Sequence, residues 1–253
     1  MVKRVAFAVP GDLATPTGGY AYDARIIEGL RGRGWEVDLR DLGARFPRPD
    51  ADALHAARNT LAKIAEDIPL VIDGLAFGVM PEIAPALAAR HRLIALLHHP
   101  LALETGLSAD EASAFRVSER DALSFAHHVI VTSPSTARLL VSDYAVPEER
   151  ISVVRPGHDV VTAAPRRAGN ETPLLLSVGA IVPRKGYDVL IEALATLEDL
   201  RWRLVIVGDP TRDPETAARL ERDLARHGLQ DRVRLEGEDM PRLADQTGAV
   251  DRI

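Results

Sequence analysis

Residues 2–39 read VKRVAFAVPGDLATPTGGYAYDARIIEGLRGRGWEVDL. Val2 to Val9 is an apolar run of strand length, and a Gly- and Thr-rich loop from Pro10 to Gly19 leads out of it. Tyr20 to about Arg33 then carries a helical period, and Gly32 and Gly34 are suited to stop it. Trp35-Glu36-Val37-Asp38-Leu39 alternates apolar and polar, the period of a second strand. Strand, helix and strand in that order make one βαβ unit. The opening Met1-Val2-Lys3-Arg4 imitates a secretion signal, but the apolar run stops at Pro10-Gly11-Asp12, which fits a first strand better.

Outward from this unit the alternation continues. A helix is predicted near Ala51 to Glu66, a strand at Pro69 to Ile72, a helix near Pro81 to Arg90 and a strand at Arg92 to Leu97. A long helix near Ala109 to Phe125, a strand at His128 to Thr132, a helix near Ser135 to Tyr144 and a strand at Ile151 to Val154 follow. That order predicts a parallel sheet with crossover helices, a Rossmann-like domain over residues 1–158. Residues around Arg155 to Pro173 lose the period and are rich in Pro, Gly, Ala and Arg, so 159–172 reads as a linker. From 173 the pattern restarts, with strands at Leu174 to Val178, Trp202 to Val207 and Val233 to Glu236, and helices at Gly186 to Leu197 and Pro214 to His227. Residues 173–253 thus read as the first half of a second Rossmann-like domain, because Gly237 to Ile253 holds too few apolar residues to finish a sheet.

Composition narrows the function classes. Of 253 residues, 46% are hydrophobic and 27% charged, an ordinary globular balance. A net charge of -6 argues against a sequence-independent grip on nucleic acid, which needs a concentrated basic face. With no cysteine there is no disulfide framework and no thiol nucleophile, which fits a cytoplasmic protein. No stretch approaches the ~20 apolar residues of a membrane span, so any membrane contact is expected to be peripheral.

Four clusters of residues invite chemistry. The loop ending Thr17-Gly18-Gly19 sits where open α/β sheets bind ligands, and its glycines admit an anion to a helix N-terminus. It is neither a G-x-G-x-x-G nor a P-loop, so a bland tight turn stays open. His98 and His99 follow the apolar run Leu93 to Leu97 and should emerge at a strand's carboxyl end, suited to proton handling or to sugar hydroxyls. A histidine held by loop backbone is the alternative for each. Arg184-Lys185-Gly186 lies between strand and helix of the second domain, where two cations can hold a diphosphate and stabilise it as it departs. Asp50-Ala51-Asp52 looks like a metal-binding D-x-D, but it follows Pro47-Arg48-Pro49 at a helix start, where Asp serves as a cap. His127-His128 enters a strand, and with no clustered carboxylate or third histidine the sequence offers no metal site.

With these segments placed, the chain resembles family 4 of the GT-B glycosyltransferases, from the first strand to about Gly237. The resemblance rests on Thr17-Gly18-Gly19, Leu97-His98-His99-Pro100, Val129-Ile130-Val131-Thr132-Ser133 and Ile151-Ser152-Val153-Val154-Arg155-Pro156-Gly157-His158-Asp159. It continues through Leu176-Ser177-Val178-Gly179-Ala180-Ile181-Val182-Pro183-Arg184-Lys185-Gly186, Val205-Ile206-Val207-Gly208-Asp209 and residues 229–237. It implies a GT-B fold and retaining transfer of a sugar from a nucleotide-sugar donor to a carbohydrate or lipid-linked hydroxyl, with no metal or other cofactor. By the same resemblance Gly18 and Gly19 border the donor phosphates, and His98 or His99 faces the reacting sugar. Arg184 and Lys185 grip the diphosphate, and Gly208 sits near the nucleoside.

Two positions depart from that pattern. Ala180 stands where many members have arginine, and the family's E-x7-E segment has no counterpart before Ile253. The expectation is therefore a chain cut off within its second domain and weak or inactive by itself. The rival is a non-catalytic fragment that binds a nucleotide-sugar or an acceptor. A dinucleotide oxidoreductase would need G-x-G-x-x-G and an acidic residue about twenty positions on, and the first unit has neither.

Overall fold

The computed structural model describes residues 3–15, 17–66, 68–157 and 172–237. The linker expected at 159–172, apart from Thr172, lies outside the described residues, as do His158, Asp159 and the expected tail beyond Gly237. The chain forms two compact units, Met1–His158 and Asp159–Ile253.

The first unit runs β1 (Lys3–Val9), α1 (Gly18–Gly32), β2 (Trp35–Asp41), α2 (Ala51–Ala62), β3 (Leu70–Asp73) and α3 (Gly74–Phe77). It continues with α4 (Ala84–Ala88), β4 (Leu93–Leu97), α5 (Ala109–Ser124), β5 (His128–Val131), α6 (Pro134–Tyr144) and β6 (Ile151–Val153). All six strands are parallel, in the order β2-β1-β3-β4-β5-β6. The order reverses at the β1–β3 boundary, and a doubly wound sheet leaves its crevice beyond the carboxyl ends of the strands at such a point.

The period-2 alternation of each strand splits the core into two layers. Val5, Phe7 and Val9 turn to one face and meet Ile27 of α1. Ala6 and Ala8 turn to the other, with Leu70, Ile72, Ala95, Leu97, Val129 and Val131. There Ala57, Leu61, Phe77, Leu87, Leu123 and Leu140 close over them from α2 through α6. Full burial of a Phe7 or Ile72 side chain stabilises the fold by roughly 1.5–3 kcal/mol each.

The second unit is a parallel sheet β7-β8-β9 (Leu174–Val178, Arg203–Val207, Val233–Glu236), with helices α7 (Tyr187–Ala195) and α8 (Pro214–Arg226). Ile191, Leu194, Leu220 and Leu224 bury their faces against Trp202, Leu204 and Ile206. The three strands and two helices among the described residues fit part of a second Rossmann-like domain.

Local chemistry explains where the observed elements differ from the expected ones. α1 starts two residues early, at Gly18, because the Thr17 hydroxyl caps it by accepting from the Tyr20 N–H. The helix expected near Pro81 to Arg90 shrinks to α4, and a separate short helix, α3, forms directly after β3. Asp73 caps that helix through the Leu75 N–H at 2.7 Å. The helix expected from Gly186 starts at Tyr187, because Gly186 takes a left-handed φ of 65° behind a 3-10 turn at Pro183–Lys185. Asp50 caps α2 through the Ala53 N–H and pairs with Arg45, so its carboxylate serves the helix end.

Candidate functional site

Three strand ends meet where the sheet order reverses. The Pro10–Gly19 loop leaves β1, Asp73 ends β3, and His98 follows β4. Gly19, Asp23 and Ile27 recur every four residues along α1 and so share its inward stripe. Gly19 has no side chain because His98 occupies the space: a Cβ there would stand 3.2 Å from the His98 Cδ2. Gly18 faces open space.

One turn below Gly19, His98 Nε2 bonds to Asp23 Oδ1 at 3.0 Å, and Asp73 Oδ2 lies 3.5 Å from the same nitrogen. A carboxylate only accepts, so Nε2 carries the proton. Tyr22 meets the ring edge-on, with centroids 5.2 Å apart, and its hydroxyl donates to the Val154 carbonyl. Thr132 donates to the His98 carbonyl at 3.3 Å. Asp23 and Asp73 are 0% and 1% exposed, and each keeps one buried Oδ2 without a hydrogen bond among the described residues.

The electrostatics follow from burial and proximity. Burial pushes the Asp23 carboxyl up to about 6; the bond to His98 works against this and the neighbouring Asp73 with it. Burial alone would lower His98, but hydrogen bonds and charge from Asp23 and Asp73 outweigh it and raise the ring to about 9. The fold brings two aspartates from distant elements onto the His98 ring, partners that the sequence reading did not name. The three side chains each offer a ligand atom, all within 4.8 Å of one another. With Nε2 donating to Asp23, that nitrogen has no lone pair free to coordinate an ion.

His99 does not share this cluster. Its Nε2 donates to the Leu103 carbonyl at 3.1 Å, the loop-backbone alternative. His127 accepts from the Leu93 N–H and His128 bonds Ser152, so both are structural. Behind the His98–Leu103 segment, Glu119 accepts from the Leu101 N–H at 3.1 Å. Its carboxyl is 1% exposed, and burial raises it to about 7.

The second unit builds its own carboxyl edge. Arg184 and Lys185 lie exposed in the turn after β7, neither with an ion-pair partner among the described residues. The Lys185 stem folds over Gly179, whose Cβ would stand 3.3 Å from its Cε. Gly179 also accepts from the Tyr187 hydroxyl at 2.8 Å. Gly208 follows β8 directly and lies against the same point: a Cβ on it would overlap the Gly179 carbonyl oxygen. Gly179, Lys185 and Gly208 thus meet at one strand edge, with Arg184 beside them.

Sequence comparison agrees with this architecture. Residues 53–162 match the family described as Glycosyltransferase Family 4, and residues 163–245 match that described as Glycosyl transferases group 1. A D-inositol 3-phosphate glycosyltransferase of Thermobispora bispora is 35% identical over 156 residues, 54% of this chain and 36% of that protein. A mannosylfructose-phosphate synthase of Agrobacterium fabrum is 30% identical over 133 residues, 45% of this chain and 29% of its own. The matches to these curated relatives therefore span about a third of their length. Among solved structures, a glycosyltransferase from Rickettsia africae superposes with TM-score 0.68 at 17% identity, over 98% of this chain and 71% of that one. Anabaena HepE, solved in complex with UDP and glucose, gives TM-score 0.65 at 18% identity, over 99% and 73% of the two chains. Two parallel Rossmann-like sheets in sequence, matched consecutively by these two glycosyltransferase models, give the chain a GT-B fold whose first part is similar to Glycosyltransferase Family 4 and whose second part is similar to Glycosyl transferases group 1.

Proposed function

We propose that the protein transfers a sugar, with retention of anomeric configuration, from a nucleotide-sugar donor to a hydroxyl on a carbohydrate or lipid-linked acceptor. The observation that carries the reading is the carboxyl edge of β7 and β8, where two exposed cations without carboxylate partners among the described residues stand at a glycine-lined turn. In this reading Arg184 and Lys185 hold the donor diphosphate and stabilise the charge that develops as it leaves. The bare edge at Gly179 and Gly208 admits the nucleotide, and His98 faces the sugar. Gly18, exposed to open space at the start of α1, borders the donor, while Gly19 is read as making room for His98. His99 is left out, because Leu103 already engages it. The reading assigns no metal or other cofactor and no nucleic-acid partner. A cytoplasmic location is proposed with it; no helix among the described residues is long and apolar enough to cross a membrane.

Ligand-observed NMR with UDP, GDP and ADP, followed by turnover of the corresponding nucleotide-sugars, tests this. At least one nucleotide should bind, and Lys185→Ala should lower turnover by roughly 10²–10³-fold, with less effect on the donor KM, because the interaction strengthens as leaving-group charge builds. Absence of nucleotide binding, or unchanged turnover in Lys185→Ala, would overturn it. The non-catalytic alternative predicts binding without turnover.

A further inference from the structure

Two buried carboxylates face a single imidazole N–H at His98: Asp23 accepts from it at 3.0 Å, and Asp73 Oδ2 stands 3.5 Å from the same nitrogen. A buried carboxylate is costly unless charge or hydrogen bonds compensate it, and here Asp73 has the Leu75 N–H on Oδ1 and Asp23 has the His98 ring, while both Oδ2 atoms have no hydrogen bond among the described residues. Among the described residues, no arginine or lysine is bonded to either. The neighbours on α1 are Tyr20 and Tyr22, phenols pushed up by burial first and then by Asp73 and Asp23 for Tyr20 and by Asp23 for Tyr22. Asp41, at the end of β2, accepts from the Gly11 and Gly43 N–H groups, so it adds further negative charge without relieving the pair. Among the described residues, the ring of His98 is the one group placed to supply positive charge.

The ring's geometry then determines what it presents. Nε2 points inward between Asp23 and Asp73, Gly19 packs at the Cδ2 edge, and Tyr22 lies against the ring. Nδ1 has no partner among the described residues and is not enclosed, and the side chain is 21% exposed. A cationic ring carries a proton on both nitrogens, so Nδ1–H is a charge-assisted donor at the surface. Yet the cluster as a whole has two negative charges for one positive once both aspartates are ionised. It therefore offers a hydrogen bond without offering net positive charge.

We propose that Asp23 and Asp73 act as positioning residues that lock His98 in its cationic form with Nδ1–H facing outward, so that the place in front of it takes an uncharged hydroxyl and rejects a phosphate. This deepens the sugar-transfer reading and rests on it for the identity of the hydroxyl's owner. Within that reading a phosphate falls to Arg184 and Lys185, which have no such carboxylates beside them among the described residues.

The test uses the full chain labelled with ¹⁵N-histidine, in which long-range ¹H–¹⁵N spectra report protonation of each ring. The sequence has eight histidines, and the His98 signal is the one lost in His98→Gln. In the unaltered protein the ring should be doubly protonated at neutral pH and lose its proton only toward about 9. Asp73→Asn and Asp23→Asn should each lower that midpoint by about one pH unit or more. Millimolar inorganic phosphate should leave the His98 signal in place. A neutral ring at neutral pH, a midpoint unmoved by both substitutions, or a saturable shift with phosphate would each overturn the proposal. The first of these needs no variant, so misfolding of either cannot shield the idea. Nucleotide binding is read separately: a chain that keeps the cationic ring yet binds no nucleotide would refute the sugar-transfer reading and leave the clamp standing.

Discussion

At the scale of single residues, the side chains that matter are partly those that are missing. Gly208 approaches the Gly179 carbonyl so closely that a Cβ would overlap backbone, which cannot yield as a flexible side chain would. Gly208→Ala should therefore force β7 and β8 apart locally and cost about 1–3 kcal/mol, read as a lower melting midpoint of the second unit. A fall below a few tenths of a kcal/mol would mean that the strands relax freely. The sequence shows the glycine but not this reason for it, because the partner lies on a neighbouring strand. Asp23 is different. It stands four residues after Gly19 and four before Ile27, on the apolar stripe of a helix, and an acid on such a stripe signals a buried polar site. Asp73 closes the buried run Leu70-Val71-Ile72 and carries the same signal. His98 was legible from its place after β4, whereas its attachment to both acids depends on strand order, which no local pattern encodes.

Elements formed where period and capping agreed, and shifted where a cap was overlooked. The strands at Leu174–Val178 and Val233–Glu236 keep their expected bounds, because both the apolar run and its flanking breaks are sharp. The stretch Gly74 to Arg90 divides into two short helices because Asp73 starts one and prolines punctuate the rest. α6 ends at Ala145 in a left-handed conformation, φ 55° and ψ 30°, where glycine is the favoured residue. Ala145→Gly is expected to raise stability by up to about 1 kcal/mol in denaturant unfolding, because relief of the left-handed alanine outweighs the extra freedom of the unfolded chain. α5 carries a pH dependence of its own. Glu119 rises from an ordinary 4.5 to about 7 on burial, so its contribution is fully present below about 4.5 and is lost as pH climbs through about 7. That interval corresponds to roughly 3 kcal/mol at about 1.4 kcal/mol per pH unit. Glu119→Gln should flatten stability against pH across this window relative to the unaltered chain; parallel curves would rule out the assignment.

For the whole molecule, two separate cores imply two separable stabilities. The clusters around Ile72 and Ile27 belong to the first unit, and that around Ile206 to the second. Ile206→Ala removes a fully buried side chain and should cost the second unit about 2–5 kcal/mol. The His98 ring spectrum should meanwhile stay unchanged, and a disturbed ring would show that the units fold as one. The three groups of the clamp also have an order in time. The bond from His98 to Asp23 spans 75 positions of chain, and synthesis delivers the amino-terminal part first. Asp23 and Asp73 therefore leave the ribosome before the ring that neutralises them. Until β4 has emerged, a nascent first unit that tried to close its core would have to bury two uncompensated acids, so the same charge arrangement that shapes the finished site also holds back premature collapse.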